Sequence, residues 1–384
     1  MVAIFQILLK KLLIQMKINK HTFFIFLSFL FSFESMCFSN NDSLEYKIGQ
    51  MLMFGIGDVN SVQHADSLLL ELSKNHLGGI ILFEKNVNPS DSYNNLKKLI
   101  DKIKSVSNNS LFIAIDEEGG KVNRLKEKYG FHRTRSPKSL GDENNLDSTY
   151  YYSKKTSDLL SKLGINVNYA PSVDLSINLE NPVIYKLERS FGRSPNLVVS
   201  HAKSFINSHR ENNIISVLKH FPGHGSSKDD SHLGLTDVSD TWMIEELYPY
   251  KSMIDSGFVD AIMSAHVVNK RLDDQMLPGT LSSKIINDLL RNFMGFNGVV
   301  FSDDMQMQAI TNHYGLEVAI EKSINSGIDI LLFCNNQLKE NQVSINEVMS
   351  IIKNKVQTGE ITYSRIEESF NRIRMLKQSF GITN

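Results

Sequence analysis

Cysteine is scarce. The 384 residues hold two, Cys37 and Cys334, too few for an internal disulfide framework. Proline (8) and glycine (22) are also few, which excludes collagen-like and low-complexity chains. Neither sign of charge prevails: 41 Lys+Arg stand against 42 Asp+Glu, a net charge of −1. So even a balance excludes the broad basic surface that nucleic-acid binding needs. At 41% hydrophobic and 22% charged, charge-driven disorder is excluded too. The apolar run from Thr22 to Phe33 spans roughly 18 Å as a helix, short of the ~30 Å hydrocarbon core.

That run is better read as part of an export signal. Lys10, Lys11, Lys17 and Lys20 precede it, and Ser39, Asn40 and Asn41 follow, the order of a basic, an apolar and a polar region in a secretory signal. Residues 1–39 are therefore expected to be an export segment, with Met16 an alternative start. The protein is then periplasmic or extracellular. A membrane anchor and a frayed apolar terminus are the competing readings. Cys37 is a lipidation candidate that would hold the chain at a membrane, although Glu34 and Met36 fit poorly before it.

The remainder, residues 45–380, repeats short apolar runs with amphipathic stretches between them. The runs are Met51–Ile56, Gly78–Phe83, Leu111–Asp116, Ile165–Ala170, Ile215–His220, Ala261–His266, Gly298–Asp303 and Ile328–Phe333. Continuous apolar character suits strands buried on both faces. Ser92–Val106, Ser148–Leu163 and Leu316–Ser326 read as helices. Eight such units predict an α/β fold, a single (β/α)₈ TIM-type barrel in one domain. A capping-box pattern at Ser364 and Glu367 predicts the start of the last helix, with Ile366, Phe370, Ile373 and Leu376 on one face and Gly381 as its stop.

Chemistry in such barrels sits on the loops after the strands. Asp116, Lys219, His220, His266 and Asp303 stand at those positions, and charged side chains are costly to half-bury there without a purpose. The competing reading is helix capping, strongest for Asp304, which is expected to open a helix at Met305. The densest segment is Lys219–His232, KHFPGHGSSKDDSH. Its small residues suit a loop that approaches and leaves a ligand. Asp230 and His232, two apart, point the same way in extended chain, and a carboxylate beside an imidazole orients it and raises its basicity. A plain polar loop and a metal site at His220 and His224 are the alternatives. Lys219 and the lack of HExxH-type spacing disfavour the metal.

KHFPGHG followed by Asp230-Ser231-His232 closely resembles glycoside hydrolase family 3, in particular its β-N-acetylglucosaminidases. The same order of segments continues the resemblance: IGQMLMFG, GGIILF, IDEEGGKVNRL, NYAPSVD, RSFG, MSAHV and FSDDM. It covers about residues 45–380 and implies a (β/α)₈ barrel. It implies Asp303 as nucleophile, His232 as general acid/base and Asp230 as its polarising partner. It further implies Asp116, Arg124, Arg189, Lys219 and His220 around a terminal GlcNAc, with His266 a neighbour of the pocket.

The implied reaction is retaining hydrolysis of terminal β-linked GlcNAc from peptidoglycan fragments or chitin-type oligosaccharides. No metal, organic cofactor or obligate protein partner is implied. A retaining glycosidase needs an attacking carboxylate and a proton donor to the departing oxygen, and an imidazole titrating near 6.5 serves as either acid or base near neutrality. Glu118, Gly119 and Gly120 are also consistent with a mere turn, and Arg189 with a rim ion pair. The rival functions are another family 3 specificity such as β-glucosidase, a phosphorylase releasing GlcNAc-1-phosphate, and an exported sugar-binding barrel without turnover. The sequence departs from the family at Lys121, where Arg is usual, across Ile184–Glu188, and at Arg193-Ser194-Pro195.

Overall fold

The computed structural model describes residues 43–107, 111–231, 234–337 and 342–382. The expected export segment, with Met16 and Cys37, lies outside the described residues, as does His232. From Leu44 onward the chain forms one compact unit.

Eight parallel strands close a barrel: β1 (Leu52–Gly55), β2 (Gly79–Leu82), β3 (Phe112–Ile115), β4 (Val167–Asn168), β5 (Ile215–Phe221), β6 (Ala261–Ser264), β7 (Val299–Asp304) and β8 (Ile330–Phe333). Each pairs with its neighbours in the sequence, and β1 closes on β8 with Leu52 opposite Leu331. All eight fall within the expected apolar runs or one residue beyond them, because strands buried on both faces leave an uninterrupted signal. Thr236–Asp237 and Val267–Val268 add a small parallel sheet beyond the barrel.

Helices α1 (Leu44–Gln50), α2 (Asp66–Asn75), α3 (Ser92–Val106), α4 (Pro137–Glu143), α5 (Leu146–Leu163), α6 (Pro195–Arg210), α7 (Tyr248–Asp255), α8 (Gln308–Thr311), α9 (Leu316–Ser326), α10 (Ile345–Thr358) and α11 (Tyr363–Ser379) alternate with the strands, with a π-helical segment at Lys284–Phe293. α3 shows why they form: Leu96, Leu99, Ile100 and Ile103 are buried, one stripe of a 3.6-residue period. Asn145 caps α5 by accepting from the Asp147 and Ser148 amides, and Gly164 ends it at φ 89°, a conformation that favours glycine.

Two expectations at helix ends are corrected. The cap of α11 is Thr362, whose hydroxyl accepts from the Arg365 amide. Ser364 lies inside the helix, and Glu367 instead pairs with Lys47 of α1. Asp304 opens no helix. It is the last residue of β7 and its carboxylate accepts from the amides of Gln306 and Cys334. The helix waits until Gln308, after Met307.

The barrel interior is graded. At one level Phe112, Phe301 and Tyr169 make ring contacts, with centroids 6.2 and 5.6 Å apart. Lys377 of α11 enters with its ammonium 4.7 Å from the Phe112 ring centre, donating to Gln50 Oε1 at 2.7 Å and the Gly78 carbonyl at 3.1 Å. Toward the strands' C-terminal ends, Tyr169 gives way to charged side chains.

Candidate active site

The β3 end supplies the first acidic residues. Asp116 follows the strand directly. Gly119 and Gly120, with φ of 97° and 60°, turn the chain back, so that the Glu118 and Gly119 amides donate to the Val122 carbonyl. This turn brings Arg124 over Asp116, Nη2 to Oδ2 at 3.2 Å. Glu117 faces inward and secures the turn, accepting from the Arg124 and Leu125 amides at 2.9 and 3.2 Å and from Asn123 Nδ2 at 2.9 Å.

Strand β5 supplies Lys219. Its buried ammonium donates to Asp116 Oδ1 at 2.8 Å and Glu118 Oε1 at 2.6 Å. Arg189 grips the same Glu118 with two parallel bonds, Nε to Oε2 at 2.9 Å and Nη2 to Oε1 at 2.7 Å. Nη2 also donates to His220 Nε2 at 3.0 Å. Guanidinium only donates, so His220 Nε2 accepts and the ring proton sits on Nδ1, directed at Asp174 Oδ2 at 2.6 Å. The chain Glu118–Arg189–His220–Asp174 thus fixes tautomer and ring plane.

Electrostatics follow from this lattice. Burial alone pushes the Glu118 carboxyl up, but Arg189 and Lys219 outweigh it and hold it down to about 2. Asp116 is lowered in the same way against burial, by Lys219 and then Arg124. Asp174 is held well below the carboxylate range by His220 despite its burial. It also accepts from the His220 amide at 3.2 Å and the His224 amide at 2.8 Å.

Asp303 stands near the end of β7, with its Oδ1 accepting from the Asp304 amide at 2.8 Å. Behind it, burial raises the Asp304 carboxyl to about 6 and the charge of Asp303 adds to the rise. A cavity of about 370 Å³ opens among these groups, lined by Asp116, Arg124, Arg189, Lys219, His220, Asp303 and Asp304. Its apolar wall includes Phe83, Tyr169, Met263 and Leu332. Positive and negative groups nearly cancel, so the cavity offers directed donors and acceptors with little excess charge. That is a surface for a neutral polyhydroxyl ligand with apolar ring faces.

The structure brings six of the expected site residues to this cavity: Asp116, Arg124, Arg189, Lys219, His220 and Asp303. His266 lies beside them without lining it, and its Nε2 donates to the Asp304 carbonyl at 2.9 Å. Asp230 sits on the β5 loop and does not line the cavity among the described residues. His224 is bracketed by Ser227 (2.6 Å) and Ser231 (3.0 Å), and burial lowers its imidazole to about 4. Among the described residues no group of three His, Cys, Asp or Glu side chains is placed to hold a metal ion.

Sequence reasoning missed Glu118 and Asp174. Glu118 reads as part of a turn, and Asp174 shows no local sign of pairing because His220 lies 46 positions on. Leu187, in the departing 184–188 segment, also reaches the cavity wall.

The base of the β5 loop is clamped. The Gly225 amide donates to buried Glu246 at 2.9 Å. Asn181 donates to the His224 carbonyl at 2.8 Å, and Asn178 to that of Ser227 at 2.7 Å. A Cβ on Gly225 would stand 1.8 Å from the Leu175 carbonyl oxygen.

Residues 43–376 match the family model described as glycosyl hydrolase family 3 N terminal domain. The chain is 31% identical to the β-hexosaminidase A of Pseudoalteromonas piscicida over 325 residues, 80% of this chain and 54% of that protein. It is 32% identical to the β-hexosaminidase of Nitrosomonas eutropha over 280 residues, 70% of this chain and 76% of that one. A family 3 β-N-acetylglucosaminidase from a Paenibacillus strain superposes with a TM-score of 0.78 at 32% identity, covering 88% of this chain and 63% of that one. LpqI of Mycobacterium tuberculosis gives 0.74 at 27% identity, covering 87% and 94%. The chain thus spans about half the length of the Pseudoalteromonas relative.

Proposed function

This chain belongs to glycosyl hydrolase family 3, and we propose that it is a retaining β-N-acetylhexosaminidase removing terminal, non-reducing β-linked GlcNAc. Relatives named β-hexosaminidase support the coarser statement, hydrolysis at GlcNAc. The observation that carries the finer one is the meeting of Asp303, rigid on a strand, with a charge-balanced hydroxyl-binding lattice in one cavity.

In this reading Asp116 and Lys219 bind sugar hydroxyls, while Arg124 and Arg189 donate to others. The apolar wall takes the ring and acetyl C–H surfaces. Asp303 attacks the anomeric carbon as the bond to the leaving oxygen breaks, and the acid donates its proton to that oxygen. The product is a glycosyl–Asp303 ester. The acid, now a base, takes a proton from water, which attacks the same carbon, and Asp303 leaves as carboxylate. His232 is the proposed acid/base, with Asp230 orienting it. An imidazolium there avoids a second anion beside the developing ester. The chain's own groups supply every step.

Residues 1–39 are read as an export signal, so the proposed substrates are peptidoglycan fragments or chitin-type oligosaccharides outside the cytoplasm. The test is release of an aryl group from aryl β-GlcNAc. Wild type is expected to turn over and to prefer it to the aryl β-glucoside, and Asp303→Ala to lose at least about 10³-fold in kcat. Full turnover by Asp303→Ala would refute the assignment. GlcNAc-1-phosphate appearing on addition of phosphate would mark phosphorolysis instead.

A further inference from the structure

A second cavity, of about 600 Å³, adjoins the proposed sugar pocket. The two share Lys121, and Glu188 lines the second while its neighbour Arg189 lines the first. Their electrostatics differ. The sugar pocket balances its charges, whereas the second cavity gathers Lys121, Arg133, Arg135 and Lys155 against the single carboxylate of Glu188.

Two of these cations are committed. Lys121 pairs with Glu188 at 3.4 Å and donates to the Lys186 carbonyl at 2.8 Å. Arg135 pairs with Glu143 and donates to the Ser139 carbonyl at 2.9 Å. The other two have no carboxylate partner among the described residues. Arg133 is exposed, and Lys155 rests its ammonium 4.8 Å from the Tyr151 ring centre. The wall is ordered by its neighbours. Thr134 accepts from the Gly120 amide at 3.1 Å, and the Arg135 guanidinium lies 5.4 Å from the Tyr152 ring centre.

A concavity that gathers four cations against one carboxylate lowers the free energy of an anion that can accept several hydrogen bonds. We propose that this cavity is an oxyanion-binding site adjoining the sugar pocket, taking a carboxylate or phosphate group through Arg133 and Lys155. The group comes either on the part of a glycoside that leaves or from a free anion in solution.

The experiment has two arms, both on the full chain. In the first, the ³¹P line width of inorganic phosphate is followed as protein is added. Wild type is expected to broaden it, and the Arg133→Ala/Lys155→Ala variant to need roughly tenfold more protein, as does wild type at raised salt. In the second, cleavage of a GlcNAc disaccharide whose leaving sugar carries a lactyl carboxylate is compared with that of uncharged diacetylchitobiose. This arm rests on the proposed glycosidase reading. A substrate-borne anion predicts that the double variant loses about tenfold in kcat/KM on the acidic substrate alone. Loss of phosphate binding with both substrates unaffected identifies a free anion as the ligand. No change in either arm overturns the site. If wild type cleaves neither substrate, the glycosidase reading fails and the phosphate arm alone decides. Arg133→Glu provides a check by charge reversal and is expected to abolish the broadening.

Discussion

Arg189 does two things at once: it satisfies Glu118 bidentately and sets the tautomer of His220. Its removal leaves a buried carboxylate facing Lys219 alone. Breaking a buried pair from one side costs about 3–5 kcal/mol, so Arg189→Ala is expected to lower denaturant stability by that order and kcat/KM on aryl β-GlcNAc by at least about 100-fold. Arg189→Lys should recover little, since an ammonium cannot copy the fork. Recovery to wild-type kcat/KM by the lysine would show that the fork is immaterial. At this scale the sequence revealed whichever residues stand at a strand end inside a distinctive string, as Asp116, Lys219 and Asp303 do. It concealed those defined by a partner. Asp174 becomes meaningful only when folding brings His220 against it, and Glu118 only when Lys219 and Arg189 close on it.

The strands were legible because their apolar runs are continuous, whereas helix starts were less so. Thr362 and Ser364 are both competent caps by type, and the backbone geometry chose Thr362. Asp304 has the composition of a cap but spends its carboxylate on Gln306 and Cys334, tying β7 to the chain after β8.

Element anchoring also yields two tests. The base of the β5 loop has no room for a side chain at Gly225. Gly225→Ala is expected to lower kcat by tenfold or more through displacement of the loop carrying Asp230, with the aryl substrate reading it directly. Unchanged kcat would mean that the clamp does not position the loop.

At the other end of the barrel, buried Asp329 accepts from Arg291 at 2.7 Å and from Arg365 and Arg372 at 3.1 Å each. Two of those arginines belong to α11. Asp329→Asn should therefore cost about 3–5 kcal/mol, measured by urea denaturation. A loss under about 1 kcal/mol would show that the cluster does not hold α11.

Across the whole molecule, pH dependence divides by sign. Glu118 is held down to about 2 from an ordinary 4.5. Its stabilisation is present above about 4.5 and lost as pH falls toward 2. The stability difference between wild type and Glu118→Gln should therefore shrink across that window in thermal melts. Glu246 works in the opposite sense, pushed up to about 7 by burial. It lets stability fall as pH rises from about 4.5 to 7, a decline that Glu246→Gln should flatten. Lys377 is lowered to about 7 from 10.5 by burial. An ammonium with a depressed folded value adds stability as pH rises from about 7 to 10.5, and Lys377→Met should remove that rise. A slope of the opposite sign would contradict the pairing of Glu118 with Arg189 and Lys219, or the burial of Glu246 or Lys377.

The molecule joins a strand-borne carboxylate, a charge-balanced cavity proposed to hold the sugar, and a basic cavity adjoining it. The carboxylate is the part on which the proposed chemistry turns. A slow mechanism-based substrate, 5-fluoro-β-GlcNAc fluoride, traps a glycosyl ester where one forms, and peptide mapping by mass spectrometry locates it. The expected result is one adduct per chain on the peptide containing Asp303, assigned to Asp303 by fragmentation. An adduct on Asp304 or on any other residue, or steady turnover with inverted anomeric configuration and no adduct, would contradict it.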